Sequence, residues 1–178
     1  YWAISDPEGS DPASKRISRE SIQASCKMIY DALRHPEILE ATPSPRDPLY
    51  AEADRKYGHK LFLSLGKRIG MIVPWRGAGA RFVLNERLLR FLVVALVPSR
   101  RITFDSFKER ARGHFGIVFD SVSLEKANAW ATGIKAETLS RESDEWLAEM
   151  LDESGSFRRL SDSCALVENL ASDDGQGE

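Results

Sequence analysis

The longest apolar run in this chain is Leu88 to Val97, broken only by Arg90. It falls far short of the roughly 20 residues that a membrane span needs, so protein must bury it. Asn85 stands just ahead of it as a helix N-cap, and Pro98 and Ser99 end it. A helix that is apolar nearly all round belongs at the centre of a fold. The remaining segments have to be arranged around this element. At 178 residues the chain is long enough to bury a core of its own, as one large domain or a small one with an appended subdomain.

Upstream, residues 1–17 are polar, with Gly9 lying between Pro7 and Pro12, and they read as an extended or loose arm in which Trp2 and Ile4 are able to dock. Ser18 is the expected N-cap of a helix whose stripe is Ile22, Cys26, Ile29, Tyr30 and Leu33. Pro36 ends that pattern, and the stretch ATPSPRDP (41–48) reads as a linker or long loop. A second helix is predicted over Tyr57–Ile69, with Phe62, Leu65 and Ile69 inward and Gly70 as its C-terminal cap. Met71, Ile72 and Val73 suggest a brief strand before Pro74, and residues 75–80 (WRGAGA) a flexible loop.

Downstream of the central helix, Ile102 suggests a short strand. Thr103 caps a predicted helix over 104–114 whose Phe104, Phe107 and Ala111 face inward, closed by Gly113 and Gly116. Ile117–Phe119 form another short apolar run, and Ser123 is the expected cap of a short helix reaching Trp130, broken by Gly133. A clearer helix covers about Arg141–Asp152, with Trp146, Leu147, Met150 and Leu151 inward and Gly155 at its end. Two short runs around Ser161-Asp162-Ser163 then read as a β-hairpin, and residues 171–178 as a disordered tail.

The net charge of −2 conceals a segregation. Residues 1–54 carry 6 Lys/Arg against 10 Asp/Glu, residues 55–119 carry 14 against 3, and residues 120–178 carry 5 against 14. The arginine-rich middle suits phosphate recognition, nucleic acid first. The competing reading is that the basic middle packs on the acidic C-terminal third. Candidate phosphate contacts are Arg55, Lys56, Lys60, Lys67, Arg68, Arg76, Arg81, Arg100, Arg101, Lys108, Arg110 and Arg112, with Arg158 and Arg159 on the hairpin.

From residue 85 the predicted order is buried helix, short strand, helix, insertion, helix, hairpin. That order resembles a winged-helix domain over residues 84–170. The fold class expected is therefore mainly α (α+β), a helical N-terminal part followed by a winged-helix-like domain with a small C-terminal β-hairpin. Residues 1–48 are an arm, a helix and a Pro-rich linker, and residues 49–83 a basic helix and loop. The resemblance implies that the third helix enters the DNA major groove and that the hairpin is the wing. Here that helix, 141–153, carries Arg141 against six acidic residues, so phosphates would repel it. The ending LSDSCALVEN loosely resembles C-terminal segments of large prokaryotic defence or helicase-associated proteins.

Catalytic patterns are missing. The runs GAGA (77–80) and GKRIG (66–70) match neither dinucleotide nor P-loop spacing, and no GxSxG occurs. Asp120, Glu125 and Lys126 lack the spacing of nuclease carboxylate–lysine sets. His35, His59 and His114 have no partner at ligand spacing, so no metal site is expected. His114 suits a helix C-terminus. Trp75 beside Arg76 suggests either stacking on a base or packing.

Cys26 and Cys164 make no disulfide framework, which suits reduced thiols in the cytoplasm. The chain opens at Tyr1, which suggests part of a longer protein. The reading is a non-catalytic nucleic-acid-binding module without cofactors, DNA favoured, belonging to a larger intracellular prokaryotic-type protein or complex. The alternative is a protein-interaction module that meets an acidic protein surface, or self-associates through its basic middle and acidic third. No membrane is involved in either.

Overall fold

The computed structural model describes residues 1–8, 12–41, 47–120, 123–124, 144–161 and 164–171. Among the described residues the chain is mainly helical with three small sheets, the mixed α+β class expected. The expected linker residues 42–46, the short helix over 125–130, Gly133, Arg141, the hairpin turn 162–163 and the tail 172–178 lie outside the described residues.

The N-terminal arm is docked rather than loose. Strand β1 (Trp2–Ala3) pairs in parallel with β5 (Ile117–Val118), joining the first residues to the second half of the chain. Helix α1 spans Pro12–Leu33, so Ser18 lies inside it and is no N-cap. Its buried face is Ser14, Ile17, Ser18, Ser21, Ile22 and Ser25. Serine is a modest helix former, but its small side chain permits close approach and its hydroxyl reaches backbone groups. Ser18 Oγ accepts from Phe82 N at 2.7 Å and donates to Phe82 O at 3.1 Å. Ser21 Oγ accepts from Ala3 N at 3.1 Å and donates to Tyr1 O at 2.9 Å. These bonds fasten α1 to β1 and to β3 (Arg81–Phe82).

Phe82 is 1% exposed, stacks on Trp2 at 5.5 Å and meets Phe62 edge-on at 6.3 Å. Strand β2 (Ile72–Val73) pairs with β3 in an antiparallel ribbon. Before it, α2 (Pro36–Ala41) and α3 (Asp47–Ala53) lead into a π-helical stretch (Asp54–Leu63) and then α4 (Ser64–Arg68). The predicted helix over 57–69 is thus the second half of a longer helical run. Arg34 donates two hydrogen bonds to Asp54, at 2.8 and 2.7 Å, tying α1 to this run. Gly66 lies against Ile72, where a Cβ would approach the Ile72 side chain to 2.4 Å, so a larger residue there would have to push Ile72 aside.

Helix α5 (Glu86–Leu96) is the predicted central helix. Asn85 Oδ1 accepts from Leu88 N at 2.8 Å, the expected cap. It is not buried all round: Leu89, Leu92, Val93 and Leu96 face the core, whereas Phe91 and Val94 are exposed. Thr103 and Gly116 cap α6 (Phe104–Phe115) as predicted, Gly116 in the left-handed region that ends helices. The sheet formed by β4 (Arg101–Thr103), β6 (Phe157–Ser161) and β7 (Cys164–Glu168) has the order β4-β7-β6, all antiparallel. Helix α7 (Glu145–Glu153) precedes the hairpin and buries Leu147, Ala148 and Leu151. One buried cluster runs from Ile4 and Ile22 through Phe82 and Leu92 to Leu151 and Val167, joining all these parts.

Replacing Ser18 by alanine leaves the buried Phe82 N–H without its partner, and should cost about 1–3 kcal/mol in urea unfolding. Ser25→Ala removes only a bond to its own helix carbonyl, Ser21 O, and should change stability by less than about 1 kcal/mol.

Candidate interaction surfaces

The structure divides the basic block into engaged and exposed cations. Arg81 is turned inward: its guanidinium donates to Ser5 Oγ at 2.7 Å and to the carbonyls of Asp6 and Pro7 at 2.8 Å each. Burial pushes its pKa below the ordinary arginine value, while Asp6 pulls the other way. Arg110 donates to Leu96 O at 2.9 Å, satisfying a carbonyl at the negative end of α5. Arg112 is paired with Glu109 one turn back. Arg158 bridges to Glu168 at 3.1 Å across the hairpin. Each of these four thus already has a partner within the protein, although Arg158 remains exposed.

Lys108 is the largest correction. Its ammonium lies 2.6 Å from Asp144, 3.2 Å from Asp120 and 3.2 Å from Asp105, with its side chain only 14% exposed. It also sits 4.7 Å from the centre of the Phe104 ring. Burial works against its charge, but the bond to Asp144 and the charges of Asp120 and Asp144, with Asp105 beside them, outweigh it. Its pKa is raised as a result. Here the basic middle does pack on the acidic third. The cluster joins α6 to the residue before α7. Asp120 also accepts from Ser123 N at 2.7 Å, so Asp120 rather than Ser123 acts as the turn's side-chain cap.

The remaining cations are outside. Arg55, Lys60, Arg68, Arg76, Arg101 and Arg159 are exposed, and among the described residues none forms an ion pair. Lys67 is half-buried. Lys56 is exposed and lies 5.3 Å from the centre of the Tyr57 ring. Arg100 is exposed, and its carbonyl accepts from Asn169 N. These residues sit on different elements: the π-helical stretch and α4, the 74–80 loop, and the β4-β7-β6 sheet. Trp75, beside Arg76, is 60% exposed, which overturns its packing alternative.

The exposed face of α7 is acidic. Glu145, Glu149 and Asp152, at helical spacing, line an open groove of about 290 Å³ against Phe157 and Arg159 of β6. Glu153 is exposed at the helix end. Glu125 and Lys126 lie outside the described residues. Cys26 is half-buried, its thiol pKa pushed up by burial, and Cys164 is exposed; both are free thiols. Among the described residues no group of three or more His, Cys, Asp or Glu is placed to hold a metal. None of their helices is long and apolar enough to cross a membrane.

Two features escaped the sequence reading. One is the Lys108 cluster, of which only the Asp105–Lys108 spacing is local. The other is a row of exposed apolar side chains on the π-helical stretch and α4. No protein-family model, curated protein or solved structure matches the chain.

Lys108→Met should lower stability by about 3–5 kcal/mol, because it leaves the buried Asp120 and the half-buried Asp144 without their cation. A raised pKa means that the lysine charge contributes fully below the ordinary value of about 10.4, and that its contribution is lost as pH rises through the raised one. The stability difference between the native chain and Lys108→Met should therefore stay constant from about pH 7 to pH 10 in urea titrations, and shrink above that.

Proposed function

We propose that this chain is a non-catalytic interaction module with a winged-helix-like arrangement in its C-terminal half, and that it engages protein rather than reading a DNA groove. Element order supports the first part: α5, β4, α6, α7, then the β6–β7 hairpin, with β4 beside β7. In winged helices the helix ahead of the hairpin usually enters the major groove.

The observation that carries the second part is the outer face of α7. Glu145, Glu149, Asp152 and Glu153 are all exposed there, and three of them line the groove beside the hairpin. Phosphates repel such a face, and bringing its four carboxylates against DNA costs their desolvation. A protein partner presenting basic side chains meets both the charge and the groove. Fold alone does not choose between these roles, and the acidic surface of α7 favours the protein reading.

A second reading, nucleic acid held through its backbone, is favoured by the exposure of Arg55, Lys60, Arg68 and Arg76 without ion-pair partners among the described residues. Such contacts would give affinity without sequence choice.

Fluorescence anisotropy with a labelled duplex of about 25 base pairs across a salt series separates the two. The expected result is a log–log salt slope corresponding to no more than about two phosphates, unchanged when Arg55, Lys60, Arg68 and Arg76 are replaced by glutamine. A slope of about five or more that collapses in that variant would install the nucleic-acid reading instead. Glu145→Lys/Glu149→Lys/Asp152→Lys should strengthen duplex binding and steepen the slope by about three.

A further inference from the structure

Tyr57, Leu61, Leu65 and Ile69 are 40%, 57%, 54% and 45% exposed. They follow one another at four-residue steps along the π-helical stretch and α4. The opposite side of the same run is well packed: Phe62 meets Phe82, Leu63 borders the core, and Gly66 lies on Ile72. The row is therefore a second apolar face on an element that has already buried its first. A surface helix ordinarily carries one apolar stripe and leaves the rest polar.

The row is also continuous across a change of helix type. A π turn takes more than four residues and an α turn fewer than four. Four-residue steps thus drift in opposite senses in the two halves, and the drifts partly cancel. The result is a row about three turns in length that stays on one side of the run. Beside it, at the same four-residue spacing, run Lys60, Ser64 and Arg68, all exposed. Among the described residues neither cation has an ion-pair partner.

An apolar seam with a cationic row along one edge has a definite complement. We infer that this face docks an amphipathic helix of a protein partner, one with an apolar seam and acidic side chains along the edge that meets Lys60 and Arg68. Seam against seam supplies the area, and the charged edge fixes the direction of the incoming helix. A strand of nucleic acid would match the cations and leave the four apolar side chains wet. The inference rests on the chain being a protein-interaction module, but it concerns a surface other than the α7 groove.

The test uses the 178-residue chain and three labelled helical peptides of about 15 residues. The peptides share a leucine seam and differ only in the row beside it, which is glutamate, glutamine or lysine. The glutamate peptide should bind at least about tenfold more tightly than the lysine peptide. Leu61→Asp/Leu65→Asp should weaken it at least about tenfold, and Lys60→Glu/Arg68→Glu should reverse the peptide order. All four positions are exposed, so circular dichroism and melting should show an unchanged fold. Glu149→Lys, on the α7 groove, should leave peptide binding unchanged; if it alone abolishes binding, the peptide sits in that groove and this inference fails while the α7 reading stands. Equal binding of all three peptides, no binding of the glutamate peptide, or binding indifferent to Leu61→Asp/Leu65→Asp overturns the inference. So does binding to anionic phosphatidylserine vesicles that Leu61→Asp/Leu65→Asp abolishes when no peptide binds, which would make the face a membrane contact.

Discussion

The contact between Ser18 and the backbone of Phe82 fixes strand β3 against helix α1, and the placing of Phe82 in the core depends on it. One hydroxyl accepts from the N–H of this buried residue and donates to its C=O, which also accepts from Ser5 N and Ser5 Oγ. Strand β3 is only two residues long, so its ladder cannot satisfy its own backbone. An unpaired buried peptide group is costly, and a short strand survives only where something else pairs with it. Helix α1 supplies that partner with serines spaced so that one face of the helix carries them all. With β3 fixed, Phe82 is placed against Trp2 and Phe62, and the arm, α1 and the π-helical run share one core with α5.

Charge is distributed by the same economy of partners. The basic middle contains cations that finish local structure, such as Arg110 on the last carbonyl of α5 and Arg81 on the carbonyls of the arm. Lys108 is different, because it holds three carboxylates from separate segments at the foot of α7. Its removal would leave negative charge in a poorly solvated place, so its role is to permit α7 to pack where it does. Lys108 is spent on this cluster, and among the described residues that line the groove on the outer face of α7 the one cation is Arg159. The acidity of that face is thus a property of the surface as well as of the sequence.

How much of this was legible follows from how local each signal is. Asn85, Thr103 and Gly116 are caps whose chemistry acts within four residues, and the structure places all three where the sequence did. The hairpin around residues 161–163 and the short strand at Ile102 were legible for the same reason. The buried face of α1 was not, because its residues are serines, and a search for apolar periodicity passes over them. The spacing Ser14, Ser18, Ser21, Ser25 was there to be read as a helical face. Arg81, Arg110 and Lys108 are indistinguishable in sequence from Arg68 or Arg76, since burial and partners are set by contacts far along the chain.

The exposed seam was hidden by a more specific error. A period of 3.6 residues groups Phe62, Leu65 and Ile69 on one inward face, and that grouping holds only if the helix is α throughout. Residues 54–63 are π-helical, which shifts the phase of everything upstream relative to α4. Phe62 goes to the core while Leu61, Leu65 and Ile69 align outside with Tyr57. A π segment binds each N–H one residue further back and is rare in long runs, so a ten-residue stretch stands against the usual preference. Its tertiary setting fits: Asp54 is held by Arg34 at one end, and Phe62 and Gly66 are fixed on Phe82 and Ile72 at the other. Between these two anchors the change from π to α geometry brings the apolar row to the outside, beside Lys60 and Arg68.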